Sequence, residues 1–181
     1  MLLTRLRIPN LSVLSLLALL SFALLIPTGE VQADTETTPF VTSRFLSPSI
    51  TNQIASVAES TCKKKGYQVA VAVVDRFGNL QSFTRDPFAG AHTVTIAQHK
   101  AFTAATFQGA TIDLTNRLDF LKGTPKLSLV GGGVPIKIGG YMYGAVGVSG
   151  APREKIPGDV DHMCASAGIE AVRVAIEFGS D

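Results

Sequence analysis

The chain contains no tryptophan, only two cysteines and three histidines, and charged residues make up 17% of its 181 positions. Without tryptophan or an aromatic ladder there is no platform on which bases would stack. A strongly basic face is missing as well. Leaving out the first 33 residues lowers Lys+Arg from 16 to 14 and Asp+Glu from 14 to 13, so the remainder is close to neutral. The one dense charge run, Lys63-Lys64-Lys65, falls at the end of a predicted helix, where cations complement the helix dipole. Nucleic acid is therefore not an expected partner.

Three familiar chemistries lack their motifs. There is no Cys-x-x-Cys-His, so any haem would be held non-covalently. Gly-x-x-x-x-Gly-Lys-[Ser/Thr] is absent, and the run Gly131-Gly132-Gly133 enters a strand, whereas nucleotide loops open a helix. Ser149 in "GVSG" fails Gly-x-Ser-x-Gly because Ala151 takes the last place, which leaves a turn serine. Asp159 and Asp161 sit where a helix starts and read as capping or dipole partners, not as an acid/base pair. No catalytic constellation emerges.

What is present begins with an address. Arg5 and Arg7 lead into the apolar run "LSVLSLLALLSFALLI", followed by "VQA", a secretory signal peptide over residues 1–33 with cleavage expected after Ala33. The run barely suffices for an uncleaved membrane anchor, an alternative that the cleavage site disfavours. The expected location is the periplasm or the extracellular space, with no membrane attachment after cleavage. Residues 34–46 read as a polar N-terminal arm, and residues 47–178 as a single domain.

Within that domain, Ser47, Pro48 and Gly66 bracket a helix on which Ile50, Ile54, Val57, Ala58 and Cys62 recur at helical spacing. "YQVAVAVVD", "RFGN" and "LQSFTR" read as a hairpin whose first strand is apolar at nearly every position, hence covered on both faces. A helix over residues 90–107 and a second over residues 111–122, ended by Gly123 and Pro125, lead to two strands joined at Gly139-Gly140. Residues 159–178 form the last helix, with Cys164, Gly168, Ala171, Val172 and Ala175 on one stripe. This order predicts an α+β domain, an antiparallel sheet with helices on both faces. Cys62, late in the first helix, and Cys164, early in the last, would meet if those helices pack antiparallel. Export favours their pairing as a disulfide, and two buried thiols are the alternative.

The helix over 90–107 carries His92 and His99, seven residues or nearly two turns apart, so both project from one stripe. With Thr95, Thr103 and Thr106 that stripe is polar but hardly charged, opposite a small-residue face of Val94, Ala97, Ala101, Ala104 and Ala105. Such a stripe suits a ligand pocket or a subunit interface. The spacing is poor for zinc. Haem needs only one axial imidazole, an apolar slot and a few cations for its propionates. The three glycines offer bare backbone against which a flat ligand lies close.

"GYQVAVAVVDRFGNL", "HTVTIAQHKAFTAATF", "GGGVPI" and "GAVGVSGAP" followed by "CASAGIEA" resemble, in that order, the GlcG/HbpS-like family of haem-binding and haem-degrading proteins, over residues 45–178. The resemblance implies a five-stranded antiparallel sheet between helices in a profilin-like α/β/α sandwich. It implies homo-oligomers, and haem or a similar tetrapyrrole as ligand in exported members. Members also include the C-terminal domain of a cobalamin adenosyltransferase, where a histidine ligates haem, and proteins of glycolate or diol operons. By this pattern His92 and Thr93 match the ligand-contact region, Lys100 the recurrent lysine, and Gly131, Gly132 and Gly133 the wall beside them. His92 is the first candidate for the iron, with His99 next, and Lys100 or Arg85 would meet the propionates. His162 stands where the pattern expects an acidic residue, and "RDPFAG" departs from it ahead of His92.

The expected function is an exported, oligomeric haem-binding protein in which haem breakdown, if it occurs, follows from peroxide at an open iron position, without a dedicated enzyme. A cofactor-free structural module, or a small-metabolite binder of the GlcG type, is the alternative. The expectation common to the haem reading is that the start of the central helix and the three glycines line one cleft.

Overall fold

The computed structural model describes residues 39–179. They fall into two compact units, the first ending at Val41 and the second beginning at Thr42, and the α/β architecture lies wholly in the second. The signal peptide and residues 34–38 of the arm lie outside the described residues. Residues 39–41 of the first unit form neither helix nor strand, and neither do residues 42–47 of the second.

Helix α1, Pro48–Lys64, starts with Ser47 at the N-cap and proline in the first turn, and buries Ile54, Ala58 and Cys62. Strand β1, Ala70–Asp75, is buried at every position. Its hairpin to β2, Leu80–Arg85, turns on Gly78 at φ +84°. Asp75 fixes that turn, with Oδ1 accepting from the amides of Phe77 at 2.8 Å and Asn79 at 3.0 Å. Helix α2, Thr93–Phe107, follows and stops at Gln108 in the left-handed region. Strands β3, Gly133–Ile138, and β4, Tyr141–Ser149, are joined by Gly139 and Gly140, both at positive φ as a two-residue hairpin requires.

All pairings are antiparallel, in the order β2-β1-β4-β3. Odd positions of β1 (Val71, Val73) join Val146, Val148, α1 and the later helix α4, Asp159–Glu170, in one core, while Ala70, Ala72 and Val74 join Ala145 and the alanines of α2 in the other. The alternating pleat thus feeds two cores, and helices cover both faces as expected. The α2 backbone lies almost on the sheet. A Cβ at Gly147 would sit 2.0 Å from the Ala97 carbonyl oxygen, so the small face of α2 and a glycine on β4 are needed together.

Cys62 and Cys164 form a disulfide that ties α1 to α4 across 102 residues. Four strands form among the described residues, as the chain-wise reading gives, and the fifth implied by the resemblance does not. The stretch "LSLV" ahead of β3 is held by side chains instead of a ladder: the Ser128 amide donates to Thr103 Oγ1 at 2.9 Å, and Thr115 Oγ1 donates to the Leu129 carbonyl at 2.6 Å. The same threonine chemistry breaks the helix expected over 111–122 into the single turn α3, Thr111–Leu114, and a 3-10 turn at Asp119–Leu121. The last helix is also interrupted, by Ala171 and Val172, before α5, Arg173–Glu177. Ala171 and Ala175 are therefore exposed, while Cys164, Gly168 and Val172 are buried.

Candidate functional site

Helix α2 does not present its polar residues as one open stripe. His92, at the N-cap, is exposed, and its ring lies over Gly90, where a Cβ would come within 2.6 Å of His92 Cε1. Thr93 is buried and its hydroxyl donates to the Gly90 carbonyl at 2.7 Å, where it serves the helix start. Thr103 is buried too, donating to the His99 carbonyl at 2.7 Å and accepting from Ser128. His99 is half-buried in a cleft.

The expected cleft between the helix start and the three glycines is corrected by the packing around Lys100. Its side chain is 3% exposed, and Nζ donates to Asp161 Oδ2 at 2.7 Å and to the Val148 carbonyl at 2.9 Å. Asp161 in turn accepts from the Ala151 amide at 3.0 Å. Burial pushes Lys100 below and Asp161 above their ordinary ranges, and their mutual attraction opposes both shifts. The ammonium suggested for a propionate is thus committed inside the protein. All three glycines are buried around this pair. A Cβ at Gly131 would meet the carbonyls of Pro157 and Gly158, one at Gly132 would lie 2.9 Å from Lys100 Nζ, and one at Gly133 would lie 2.3 Å from the Lys100 carbonyl. Bare backbone is required here so that β3, α2 and the start of α4 can cross closely, at the middle of α2 and away from His92.

Arg85 is exposed and its guanidinium donates to the Ala89 carbonyl. The loop between β2 and α2 is further fixed by Asp86, whose carboxylate accepts from the Phe88 amide at 2.9 Å and pairs with Lys63 at 3.3 Å. Both contacts hold the Asp86 carboxyl below the usual range, the Phe88 amide most. This rigid loop leaves Phe88 87% exposed. Asp159, read as a cap, accepts four backbone amides, from Glu154, Lys155, Ile156 and Val160, which lower its carboxyl to about 2, Lys155 most. Ser149 ends β4, buried, in no nucleophile's setting.

His99 lies in one of the clefts of ligand size among the described residues. A cleft of about 380 Å³ opens between α2 and the β1–β2 hairpin, with His99, Gln98 and Phe102 on one side, Phe77 and Leu80 on the other, and Lys126 at its margin. Phe102 follows His99 by three residues and so faces the same way. Its ring packs against Gly78, where a Cβ would lie 2.6 Å from Cδ2. Phe77 and Leu80 remain 61% and 48% exposed. An imidazole, apolar walls and one cation meet in a cavity of ligand size. A second cleft of about 420 Å³, with Ile112, Leu127, Leu129 and Ile156 among its walls, carries no histidine.

Sequence reasoning missed Asp161 as the counter-ion and missed Phe77, Leu80, Phe102 and Lys126 altogether. Lys100 lies three residues after Ala97 and four before Ala104, so a lysine at buried spacing already calls for a partner. The i, i+3 pair His99 and Phe102 was the available signal for the cleft. Among the described residues no group of three or more His, Cys, Asp or Glu side chains is placed to hold a metal ion. Nor is any described helix long and apolar enough to cross a membrane.

Comparison with known proteins bears on this site. Residues 46–170 match the family described as haem-degrading, HbpS-like proteins. The protein GlcG of Escherichia coli strain K12 is 31% identical over 112 residues, 60% of this chain and 84% of GlcG. A crystal structure of a Streptomyces reticuli HbpS double mutant superposes with a TM-score of 0.68 at 34% identity, covering 74% of this chain and 90% of that one. The crystal structure of a PduOC:haem complex is similar at a TM-score of 0.62 and 26% identity, over 71% of this chain and 95% of that one.

Proposed function

The chain belongs to the HbpS-like family of haem-degrading proteins, and on that premise we propose that it binds haem in the cleft between α2 and the β1–β2 hairpin, with His99 as the iron ligand. The observation that carries this reading is the half-buried His99 imidazole among Phe77, Leu80 and Phe102. Haem is held by an axial ligand in a largely apolar slot, and of the two helix histidines His99 is the one that shares a cleft with Phe77, Leu80 and Phe102. His92, exposed at the N-cap, has no such walls. The haem complex solved for PduOC, which this chain resembles, supports the ligand class.

Held through His99, haem would supply an iron able to react with peroxide. The chain's own contribution is to seat the ring, exclude water from its buried face and orient the imidazole. Breakdown of bound haem is proposed as the cofactor's reaction and not as a dedicated enzymatic activity.

Export and self-association complete the proposal. The Cys62–Cys164 bridge supports an oxidising compartment, in keeping with the leader expected over residues 1–33. Phe88, held in solvent by a rigid loop, supports contact with a second copy. Hemin titration tests the central point. Wild type and His92→Ala are expected to give a shifted, saturable Soret band, and His99→Ala to lose the shift or bind at least ~10-fold more weakly. A band lost only in His92→Ala moves the ligand to the helix start. No saturable band in wild type defeats the haem reading and favours a cofactor-free module.

A further inference from the structure

Lys126 takes a backbone conformation that lysine ordinarily avoids. Its φ is +67°, and Gln108 is the only other non-glycine residue at positive φ among the described residues. Gln108 has a local reason, since it terminates α2. Lys126 is the third residue of the Thr124–Leu127 turn, in which Pro125 precedes it and the Leu127 amide donates to the Thr124 carbonyl at 3.2 Å, a turn that calls for positive φ at this place. Glycine or asparagine is the usual residue at that place of such a turn, so a lysine there sets a long cationic side chain where most turns carry little or none. Glycine would occupy the position without strain.

The segment that imposes this conformation is tied to the cleft. Two residues on, the Ser128 amide donates to Thr103 Oγ1, and Thr103 donates to the His99 carbonyl, so the backbone carrying Lys126 is registered against the turn of α2 that carries His99. Lys126 is the only cation lining the cleft. It is exposed, and among the described residues it has no carboxylate within ion-pair distance, whereas Lys63, Lys65, Lys100 and Lys122 each have one. An unpaired ammonium beside aromatic walls and an imidazole calls for an anionic group on a flat ligand.

We propose that Lys126 is the carboxylate-recognising residue of the cleft, selecting tetrapyrroles with free propionates over the same ring system without charge. This rests on the cleft being the haem site. It places the anion partner at neither Lys100 nor Arg85, whose charged groups are engaged elsewhere. The turn at residues 124–127 then sets an ammonium beside the cleft while Ser128 remains bonded to α2.

Hemin and hemin dimethyl ester, in which methyl esterification removes both propionate charges from the same ring, provide the test when titrated into wild type, Lys126→Gln and Lys126→Gly and followed at the Soret band. Wild type is expected to favour hemin by about fivefold, the upper range for an exposed charge pair, and the preference should shrink as salt is raised. Both variants should lose the preference. Lys126→Gly should also melt at a higher temperature than wild type, because glycine relieves the positive φ, which separates the loss of recognition from misfolding. Equal affinity of wild type for the two ligands, or a preference that survives in Lys126→Gln, overturns the assignment while leaving the haem site standing. If neither ligand binds wild type, the assignment falls together with the reading on which it rests.

Discussion

His162 keeps its Nδ1 buried with no hydrogen-bond partner among the described residues. Burial pushes its imidazole below the ordinary histidine range, and Asp113 opposes that shift. The unfolded chain takes up this proton near 6.5, the ordinary histidine value, and the folded chain only at lower pH. Folding stability attributable to His162 is therefore present above about pH 6.5 and is lost as the pH falls from there toward the folded value. Urea unfolding of wild type and His162→Gln between pH 7.5 and 5 should show a steeper loss of stability for wild type. Parallel curves would remove His162 from the acid response. The sequence marks this position as unusual, a histidine where an acidic residue is expected, but the shift arises from neighbours distant in the chain. Asp161 shows the same limit: its place at a helix start was legible, and its buried partner was not.

Among the elements, α2 is the one to which the others are fitted. Its alanines and Gly147 bring its backbone onto β4, and the Lys100–Asp161 pair ties its middle to the start of α4 beneath the glycine run. Lys100→Met should strand the Asp161 carboxylate in the interior and cost about 3 to 5 kcal/mol by urea denaturation. Adding Asp161→Asn should recover part of that loss, since the uncharged amide can still accept from Ala151. Additive losses in the double variant would show that the two side chains contribute independently. Periodicity made α1, β1, α2 and both hairpins readable, because each repeats its burial pattern over many residues. It failed over 111–122 and 126–132, where threonine hydroxyls bind backbone groups of other segments and no repeat exists to read. The glycine run was legible as a place without side chains. What lies against it is protein, and this reversed its expected role.

At the scale of the molecule, two cores share one sheet and a single covalent cross-link joins the helices on one face. Closing a loop of this length contributes about 4 to 5 kcal/mol in the chain-entropy model. Reduction, or the Cys62→Ser/Cys164→Ser variant, should lower the urea midpoint with little change in helix content below the transition, and an unchanged midpoint would show that α1 and α4 dock equally well without the link. The fold class was legible in the sequence, and the pairing of these cysteines was the favoured of two readings that the structure decides. The ligand cleft was not legible, because its walls come from a hairpin tip, one helix face and an irregular segment that only the folded chain assembles. Whether haem occupies that cleft is most directly measured by amide NMR of the isotopically labelled protein during titration with gallium protoporphyrin, a diamagnetic stand-in for hemin. Ring-current shifts are predicted to centre on Gly78, Asn79, His99, Phe102 and Lys126, and shifts centred instead on Ala91, His92 and Thr93, or none at saturating ligand, would contradict the account.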